Sequence, residues 1–417
     1  MKRFINSFFE KNTFLKIIAL YAIAFWAIIF LVALIFRKDL LEASNFLYWD
    51  AEHYHYISKF RYEDYRVAFF PLLPLIWRWL ALDVYGIVIV NSLIFFCSFW
   101  LLSRELKLSV KEITIILTIP CFIFFYLPFS ESLFFFSSTL IIIGLRNDKW
   151  YHVLTGLFIA SLSRPAFLIF IPALIIAEYS VRGASSASFA KFKTVATGIL
   201  ILAAGTLVVA IIQYVDTHEW FKFWEAQKGW GNHLQIPKLP LTSWAGGNIV
   251  RLDGSAFLVG ALSGIFLLLW LLRVKYIEGF RLQKETVFSL AYLGGITLSV
   301  LMFRGGSLFS LNRFVYATAF MVVAMHFFLN LKLRLSNKDL LYIFLLMTLV
   351  WVVLFHAYSH IQYFMKFVLL SLYLLLPFSI LSEKQNIQRI GLIVLVAVNF
   401  TFQILMFIRF LSGGWIA

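Results

Sequence analysis

The stretch FLKIIALYAIAFWAIIFLVALIF, residues 14–36, decides the fold class of this chain. It is an apolar run long enough to cross the roughly 30 Å of hydrocarbon in a bilayer. It is too long for a signal-peptide core, and no small-residue cleavage site follows it. We therefore expect it to be retained as a first membrane span.

Similar apolar stretches recur along the rest of the chain. They lie at 84–103, 113–128, 131–145, 194–215, 256–272, 286–303, 313–330, 339–357, 361–381 and 390–411. In 152–178 the apolar run is interrupted by Arg164 and Pro165, so we expect two short, tilted spans that meet at Arg164. The sequence predicts an all-α polytopic membrane protein, a single integral membrane domain over 1–417 with about 11–13 transmembrane helices.

Composition supports this class. The chain of 417 residues is 62% hydrophobic and 14% charged, a balance that a water-soluble protein could not cover with polar surface. The formal charge of +15 at pH 7 indicates basic cytoplasmic loops rather than nucleic-acid binding. Cys97 and Cys121 lie in apolar runs and are interpreted as buried thiols. No Walker-type or GxGxxG motif is present in the sequence, which argues against nucleotide-driven transport.

The distribution of lysine and arginine predicts the orientation. With the amino terminus in the cytoplasm, the cytoplasmic segments hold 21 of the 36 basic residues. The two longest polar stretches, 37–83 and 216–255, then lie on the outer side. We expect the chemistry of the protein to lie on that side.

The first outer loop contains WDAEHYHYI at 49–57. In an interfacial helix, Asp50, His53 and Tyr54 would share one face. A carboxylate at the hydrocarbon boundary, walled by Trp49 and Tyr54, is a candidate general base. We take Asp50 as that base and Trp49, Glu52 and His53 as candidate substrate-binding residues. The alternative is that Asp50 only caps a helix that begins at the next residue, among ordinary interfacial aromatics.

Two further motifs follow on the outer side. AFFPLLP at 68–74 is too short to span before Arg78 and predicts a re-entrant or interfacial element. PFSESLFFF at 128–136 places Glu131 at the outer end of an apolar span, where an ionisable residue is a functional candidate. Serine and glutamate after proline are also the ordinary start of a helix, which is the alternative for Glu131.

Three arginines are candidates for binding a phosphate. Arg164 lies where two short spans meet and either binds an anion or extends to the interface. Arg304 and Arg313 flank GGSLFSLN, where two glycines would let backbone amides approach an anion. A solvated loop is the equal alternative for this turn.

The outer loop from His218 to Pro240 interleaves tryptophans with amides and carboxylates. Trp224, Gln227 and Trp230 are candidate sugar-binding residues, because a sugar face stacks on an indole ring while its hydroxyls take polar partners. The commoner role of tryptophan at a membrane surface is anchoring. The histidines show no metal-ligand spacing beyond a weak i, i+4 pair, so we expect neither a metal nor another cofactor.

Taken together, these segments resemble the GPI mannosyltransferase II (class V) family of the GT-C glycosyltransferase superfamily. The resemblance is carried, in chain order, by WDAEHY at 49–54, AFFPLLP at 68–74, SESLF at 130–134 and Arg164. It departs at Pro165, where a polar residue would be expected. Beyond about residue 170 the likeness extends only to hydropathy and the aromatic outer loop.

The resemblance implies an inverting transferase with a GT-C-like fold. Such an enzyme moves a hexose, usually mannose, from a polyprenyl-phosphate sugar to a lipid-linked or glycan acceptor at the outer face of a bacterial plasma membrane or the endoplasmic reticulum. Asp50 would be the base, Glu131 would orient the acceptor or support the base, and Arg164, Arg304 and Arg313 would hold the departing phosphate. A small membrane partner is a further expectation. The alternatives are a lipid-oligosaccharide polymerase or ligase and a lipid or sugar transporter.

Overall fold

A computed structural model describes residues 13–165, 167–180, 188–229, 231–243, 249–273 and 279–416. The described residues form α-helices joined by short connections and four 3-10 helices. The 3-10 helices are Ala43–Phe46, Asp64–Ala68, Pro120–Tyr126 and Ala357–Ser359. The α-helices are α1 Thr13–Phe36, α2 Asp50–Phe60, α3 Leu72–Trp79, α4 Val84–Leu106, α5 Val110–Leu117, α6 Glu131–Arg146, α7 Trp150–Ser163, α8 Phe167–Ser180, α9 Ser188–Thr217, α10 Lys222–Gly229, α11 Ile249–Leu271, α12 Lys284–Phe303, α13 Leu311–Tyr316, α14 Ala319–Leu329, α15 Asn337–Phe355, α16 Ile361–Ser379 and α17 Gln385–Leu411.

Eight helices among the described residues are long and apolar enough to cross a membrane. They are α1, α4, α9, α11, α12, α15, α16 and α17. The prediction of an all-α polytopic membrane protein is confirmed, and each of these helices covers one of the apolar stretches identified in the sequence. Pairing by β-bridges in the described chain is limited to Thr242 with Ser307 and Leu335 with Ser382.

The eight long helices are fewer than the 11–13 spans expected, because the remaining apolar stretches form shorter helices or are broken. The stretch 113–128 is the end of α5 followed by a 3-10 helix, which meets α6 at a bend of 106°. Pro120 and Pro128 lack the N–H groups that would continue a helix through this segment. The stretch 313–330 is likewise divided into α13 and α14.

The interruption predicted at Arg164 is present. Helix α7 ends at Ser163 and α8 begins at Phe167. The backbone of Arg164 is extended, with φ −156° and ψ 149°. The residue before a proline is driven out of the helical region by the proline ring, which explains the position of the break.

Contacts divide the chain into two compact units. Of the residues that the structure describes, those within Met1–Tyr48, Ser103–Ile123 and Met325–Ile416 form the terminal unit, and those within Trp49–Leu102 and Phe124–Ala324 form the central unit. All candidate functional residues that were named from the sequence and that the structure describes belong to the central unit.

Polar side chains stabilise the broken helices of the terminal unit from within. Gln403 of α17 donates its amide to the carbonyls of Leu117 and Ile119, at 2.8 and 2.7 Å, and accepts from the hydroxyl of Tyr21 at 2.9 Å. The Leu117 carbonyl closes α5, where the last carbonyls have no partner within the helix. The Ile119 carbonyl also accepts from the N–H of Phe122 at 3.0 Å. The buried amide of Gln403 therefore donates to backbone carbonyls at the break that Pro120 creates.

Close glycine contacts bring the helices of the central unit together. A Cβ at Gly156 of α7 would lie 2.6 Å from the carbonyl oxygen of Ser137 in α6, and a Cβ at Gly294 of α12 would lie 2.6 Å from the Cα of Gly264 in α11. Small residues at helix crossings let backbones approach in this way inside a membrane. The α6–α7 contact matters for function because it fixes the start of α6 and the end of α7 relative to each other.

Charged residues also join the opposite ends of these helices. Arg146, at the end of α6, binds Glu285 at 2.8 Å, and Lys284, at the start of α12, lies 3.2 Å from both Asp148 and Glu178. Basic residues of predicted cytoplasmic segments thus lie together at one end of the central unit. The start of α6 and the end of α12 lie at its other end.

Candidate active site

Two carboxylates and two arginines meet at this other end of the central unit. Arg313 Nη1 lies 2.7 Å from Asp50 Oδ2, and Arg313 Nε donates to Glu131 Oε1 at 2.7 Å. Arg164 Nη2 donates to the same Glu131 oxygen. The four side chains therefore alternate in charge, in the order Asp50, Arg313, Glu131, Arg164.

Burial separates the roles of the two carboxylates. Glu131 is fully buried, and the side chains of Arg313 and Arg164 are 5% and 6% exposed. The Asp50 side chain is 22% exposed and is the most accessible member of the cluster. A proton acceptor must be reachable by its substrate. Asp50 meets this requirement and Glu131 does not.

Asp50 occupies its position because α2 begins there. Trp49 precedes the helix with a φ of 60° and forms no capping hydrogen bond through its side chain, and Asp50 is already the first helical residue. The interpretation of Asp50 as a simple helix cap is therefore wrong, since its carboxylate binds Arg313 instead. On the same helix, the hydroxyl of Tyr54 donates to Ser130 at 3.0 Å, beside Glu131.

The other candidates of the first motif lie apart from the charged cluster. Glu52 is exposed. His53 packs between Phe69 and Tyr65, at ring distances of 4.7 and 5.5 Å. Burial lowers the pKa of His53 against the opposing effect of Asp50, so the imidazole is neutral at pH 7. Helix α2 therefore packs against the motif at 68–74 through Phe69.

Glu131 is the first residue of α6, as its sequence context predicts, and it also binds both arginines. The preceding turn is held by Asn91 of α4, whose amide donates to the carbonyls of Leu127 and Phe129 at 2.7 and 3.0 Å. A carboxylate at a helix amino terminus is favoured by the helix dipole. The local helix start and the ionic cluster therefore stabilise the same side chain.

Arg164 extends from the break between α7 and α8 into the cluster. Its Nε donates to Ser130 Oγ at 3.2 Å. Its Nη1, like Glu131 Oε2, is buried and has no hydrogen-bond partner within the described part of the chain. Buried polar atoms are rarely left without a partner, so these two atoms mark a place where a polar ligand would be stabilised.

Arg313 is positioned by α11. It lies on α13, a helix of six residues that is too short to be stable alone. Asp253 of α11 accepts from the backbone N–H and the side-chain amide of Asn312, at 3.0 and 2.8 Å. The hydroxyl of Tyr316 donates to Ser255 of α11 at 3.0 Å. These contacts hold α13 on both sides of Arg313.

Arg304 lies near the cluster without joining it. Its Nε donates to Asn232 Oδ1 at 3.0 Å, and it also donates to the carbonyl of Phe309. Arg304 and Arg164 face the ring of Phe314, at 5.9 and 5.2 Å. Burial lowers the pKa of Arg304 to about 10, although nearby Asp253 opposes this, so the guanidinium is charged at neutral pH.

The double glycine between Arg304 and Arg313 accommodates a neighbouring segment. Gly305 and Gly306 have positive φ, and a Cβ on them would lie 2.7 Å from Gln235 and 2.5 Å from the carbonyl of Lys238. The N–H of Gly306 donates to the carbonyl of Leu301 at 3.2 Å. The glycines therefore let residues 235–238 pass close to this turn, and the binding of an anion by its amides stays a prediction.

The aromatic outer loop contributes less direct evidence. Trp224 is 51% exposed. Gln227 accepts from the amide of Asn232 at 2.7 Å, which connects the loop to Arg304. Trp230 lies outside the described residues. The sugar-binding interpretation of these three residues stays a prediction.

Asp253 and Asn91 position the cluster but are not among the residues predicted from the sequence. Asp253 is an acidic residue inside the apolar run of α11, and the rule that intramembrane ionisable residues are functional candidates would have identified it. Among the described residues, no three His, Cys, Asp or Glu side chains are grouped so as to hold a metal ion. Comparison with protein-family models, curated proteins and solved structures finds no match to this chain.

Proposed function

We propose that this chain is a membrane glycosyltransferase that moves a hexose, with mannose as the first to test, from a polyprenyl-phosphate sugar to a lipid-linked or glycan acceptor. The observation that carries the proposal is the convergence of Asp50, Glu131, Arg164 and Arg313 in one buried cluster. Three of the four belong to the motifs by which the chain resembles the GPI mannosyltransferase II family. The cluster combines a reachable carboxylate with buried positive charge, as transfer from a phosphate donor requires.

In the proposed reaction, the acceptor hydroxyl oxygen attacks the anomeric carbon and forms the new glycosidic bond. The bond from that carbon to the phosphate oxygen breaks, and its electron pair leaves with the polyprenyl phosphate. Asp50 takes the proton of the attacking hydroxyl. Its position at the start of α2, with its side chain 22% exposed, supports this role over a purely structural one.

Glu131 serves as a positioning residue in this scheme. It is fully buried and holds both Arg164 and Arg313. This geometry supports the role of orienting the arginines that stabilise the cluster, and lends no support to direct contact with the acceptor. We expect the unpartnered Nη1 of Arg164 to donate a hydrogen bond to an oxygen of the donor phosphate.

The ion pair between Asp50 and Arg313 has a consequence for the order of events. One carboxylate oxygen of Asp50 is engaged by the guanidinium of Arg313 at 2.7 Å. A donor phosphate bound at Arg164 would compete with Asp50 for Arg313. We expect this competition to free the base only when the donor is bound.

The test is transfer of labelled mannose from polyprenyl-phosphate mannose into lipid or glycan acceptors by the purified protein in vesicles. Asp50→Asn should reduce transfer to background. Asp148→Asn is the matched control, because it makes the same change on a side chain that is 82% exposed at the other end of the central unit. Its activity should equal that of the wild type.

Two results would overturn the proposal. One is the absence of transfer from any of several polyprenyl-phosphate sugars by folded wild-type protein. The other is an Asp50→Asn variant that keeps full activity. A transporter also uses buried ionisable residues at helix breaks, such as the bend before Glu131. Sugar or lipid movement across vesicles without transfer would favour that alternative.

A further inference from the structure

A segment of the aromatic outer loop caps the end of a membrane-spanning helix. The N–H groups of His233 and Gln235 donate to the carbonyls of Phe303 and Met302, at 3.0 and 2.9 Å. These carbonyls close α12 and have no partner within the helix. We name residues 233–239 the capping segment, since it satisfies the end of α12.

This contact determines the depth of the capping segment. Helix α12 has 20 residues, which at 1.5 Å per residue is about 30 Å, the thickness of the hydrocarbon layer. Its first residue, Lys284, belongs to the charged group at the opposite end of the central unit. Its last residues therefore lie at the other hydrocarbon boundary, and the capping segment lies beside them.

From Leu234 to Lys238 of the capping segment, exposed and partly buried side chains alternate as in a strand. Leu234 and Ile236 are 68% and 84% exposed, and Leu239 is 52% exposed. Gln235, between the first two, turns the other way, with its amide donating to the carbonyl of Phe303 at 3.3 Å. Because apolar surface in contact with water is unfavourable, side chains this exposed at the hydrocarbon boundary are expected to contact an apolar phase or another apolar surface.

Other residues of the same outer loop indicate what that surrounding is. Lys238, in the same segment, is exposed, and Trp220 stacks on Tyr214 near the end of α9 at 4.5 Å while remaining 54% exposed. Tryptophan and lysine beside an apolar face are the composition of a protein surface at the lipid headgroup boundary. The occupant that fits the segment is therefore lipid.

We propose that the capping segment lies in the membrane, with Leu234, Ile236 and Leu239 among the lipid chains of the leaflet at the active-site end and Lys238 at the headgroups. The segment is then an interfacial anchor, which enters one leaflet without crossing it, between α10 and α11. Through Asn232, which binds Arg304 at 3.0 Å, it would couple the lipid surface to the loop that leads to Arg313. The proposal does not depend on transferase activity.

The test measures the surroundings of single side chains. Nitroxide labels are placed one at a time through Leu234→Cys, Gln235→Cys and Ile236→Cys, in a background in which Cys97 and Cys121 are replaced by alanine. The labelled proteins are reconstituted in phosphatidylcholine–phosphatidylglycerol vesicles. Collision with oxygen, which concentrates in lipid, is compared with collision with a water-soluble nickel complex.

Two reference positions set the scale. Leu298→Cys lies on the exposed face of α12, with 60% exposure, and represents lipid contact. Asp148→Cys, on a side chain 82% exposed, represents water. Positions 234 and 236 should favour oxygen as position 298 does, and position 235 should be shielded from both reagents.

Either of two results would overturn the proposal. If positions 234 and 236 collide mainly with the nickel complex, the segment is a solvated loop. If they are shielded from both reagents while position 298 is not, a protein surface covers them. Monodisperse elution of each labelled protein before reconstitution shows that a negative result does not come from unfolding.

Discussion

Arg313 contacts two carboxylates through one planar group. Its guanidinium lies 2.7 Å from Asp50 Oδ2 and 2.6 Å from Glu131 Oε1, with the rings of Phe129 and Phe124 at 4.8 and 5.1 Å from its central carbon. Arginine suits this site and lysine does not, because the planar guanidinium holds its N–H donors in fixed directions while its faces lie against aromatic rings. Removing it would leave two carboxylates without their shared cation.

We expect Arg313→Ala to lower the free energy of unfolding by about 3–5 kcal/mol, because a buried charge network loses its central partner. Transfer should fall by about a hundredfold or more. Arg313→Lys should keep part of the stability, since its ammonium retains the charge. Thermal unfolding in detergent and the labelled-mannose assay measure the two effects.

The control for this prediction is Arg61→Ala. Arg61 pairs with Asp216 at 3.4 Å, but its side chain is 62% exposed, so its loss should cost less than about 1 kcal/mol. Equal losses of stability for the Arg61 and Arg313 variants would contradict the prediction.

Asp253 acts through its neighbour Asn312. Asp253→Leu should release α13, so that the amide hydrogens of 311–316 exchange faster and transfer falls by about tenfold or more. Asp253→Asn keeps an oxygen that accepts from the Asn312 N–H, so it should recover part of both properties. Ser263→Ala, in the same helix, removes only a bond to the carbonyl of Val259 and serves as control.

Hydrogen exchange read by mass spectrometry and the transfer assay distinguish a positioning role from general instability. A uniform rise in exchange across the central unit, with no excess at 311–316, would count against the proposed role of Asp253 in holding α13.

At the scale of helices, the α6–α7 pair brings Glu131 and Arg164 together. Gly156→Val would place side-chain atoms where Ser137 backbone now lies, since even a Cβ would be 2.6 Å from its carbonyl oxygen. Overpacking of this kind costs about 1–3 kcal/mol. The helices should separate, and transfer should fall together with the melting temperature.

Gly229→Ala is the matched control, because a Cβ there meets nothing within 4 Å. Circular dichroism melts and the transfer assay report on both variants. If Gly156→Val melts and transfers as the wild type does, the contact does not position the site.

At the scale of the whole molecule, the prediction concerns sidedness. In a cysteine-free background, Glu219→Cys should react with a membrane-impermeant maleimide added to intact cells. Asp148→Cys should react only after the membrane is opened. The reason is that positively charged segments are retained in the cytoplasm, and Asp148 lies between Arg146 and Lys149.

Positions 219 and 148 can be compared as labelling sites because the side chains of Glu219 and Asp148 are both exposed, by 53% and 82%. The reverse labelling pattern would place the charged cluster of Asp50 on the cytoplasmic side and exclude a lumenal or extracellular donor.

Several properties of this protein follow from its sequence alone. Apolar runs near 20 residues predict the eight long helices, because the bilayer sets the length of a span. Pro165 predicts the break after α7, and Ser130 with Glu131 predicts the start of α6, because both depend on the chemistry of adjacent residues. The candidates Asp50, Glu131 and Arg164 could be named for the same reason.

Only the tertiary structure decides which of these residues meet. Asp50 and Arg313 are 263 positions apart, and Asp253 and Asn312 are 59 apart. No local preference selects such a pair, because any arginine at the same end of the bundle would satisfy a buried carboxylate equally well. The choice depends on the glycine contacts that set helix spacing and on the turns before Glu131 and Arg313, which exist only once the helices are packed.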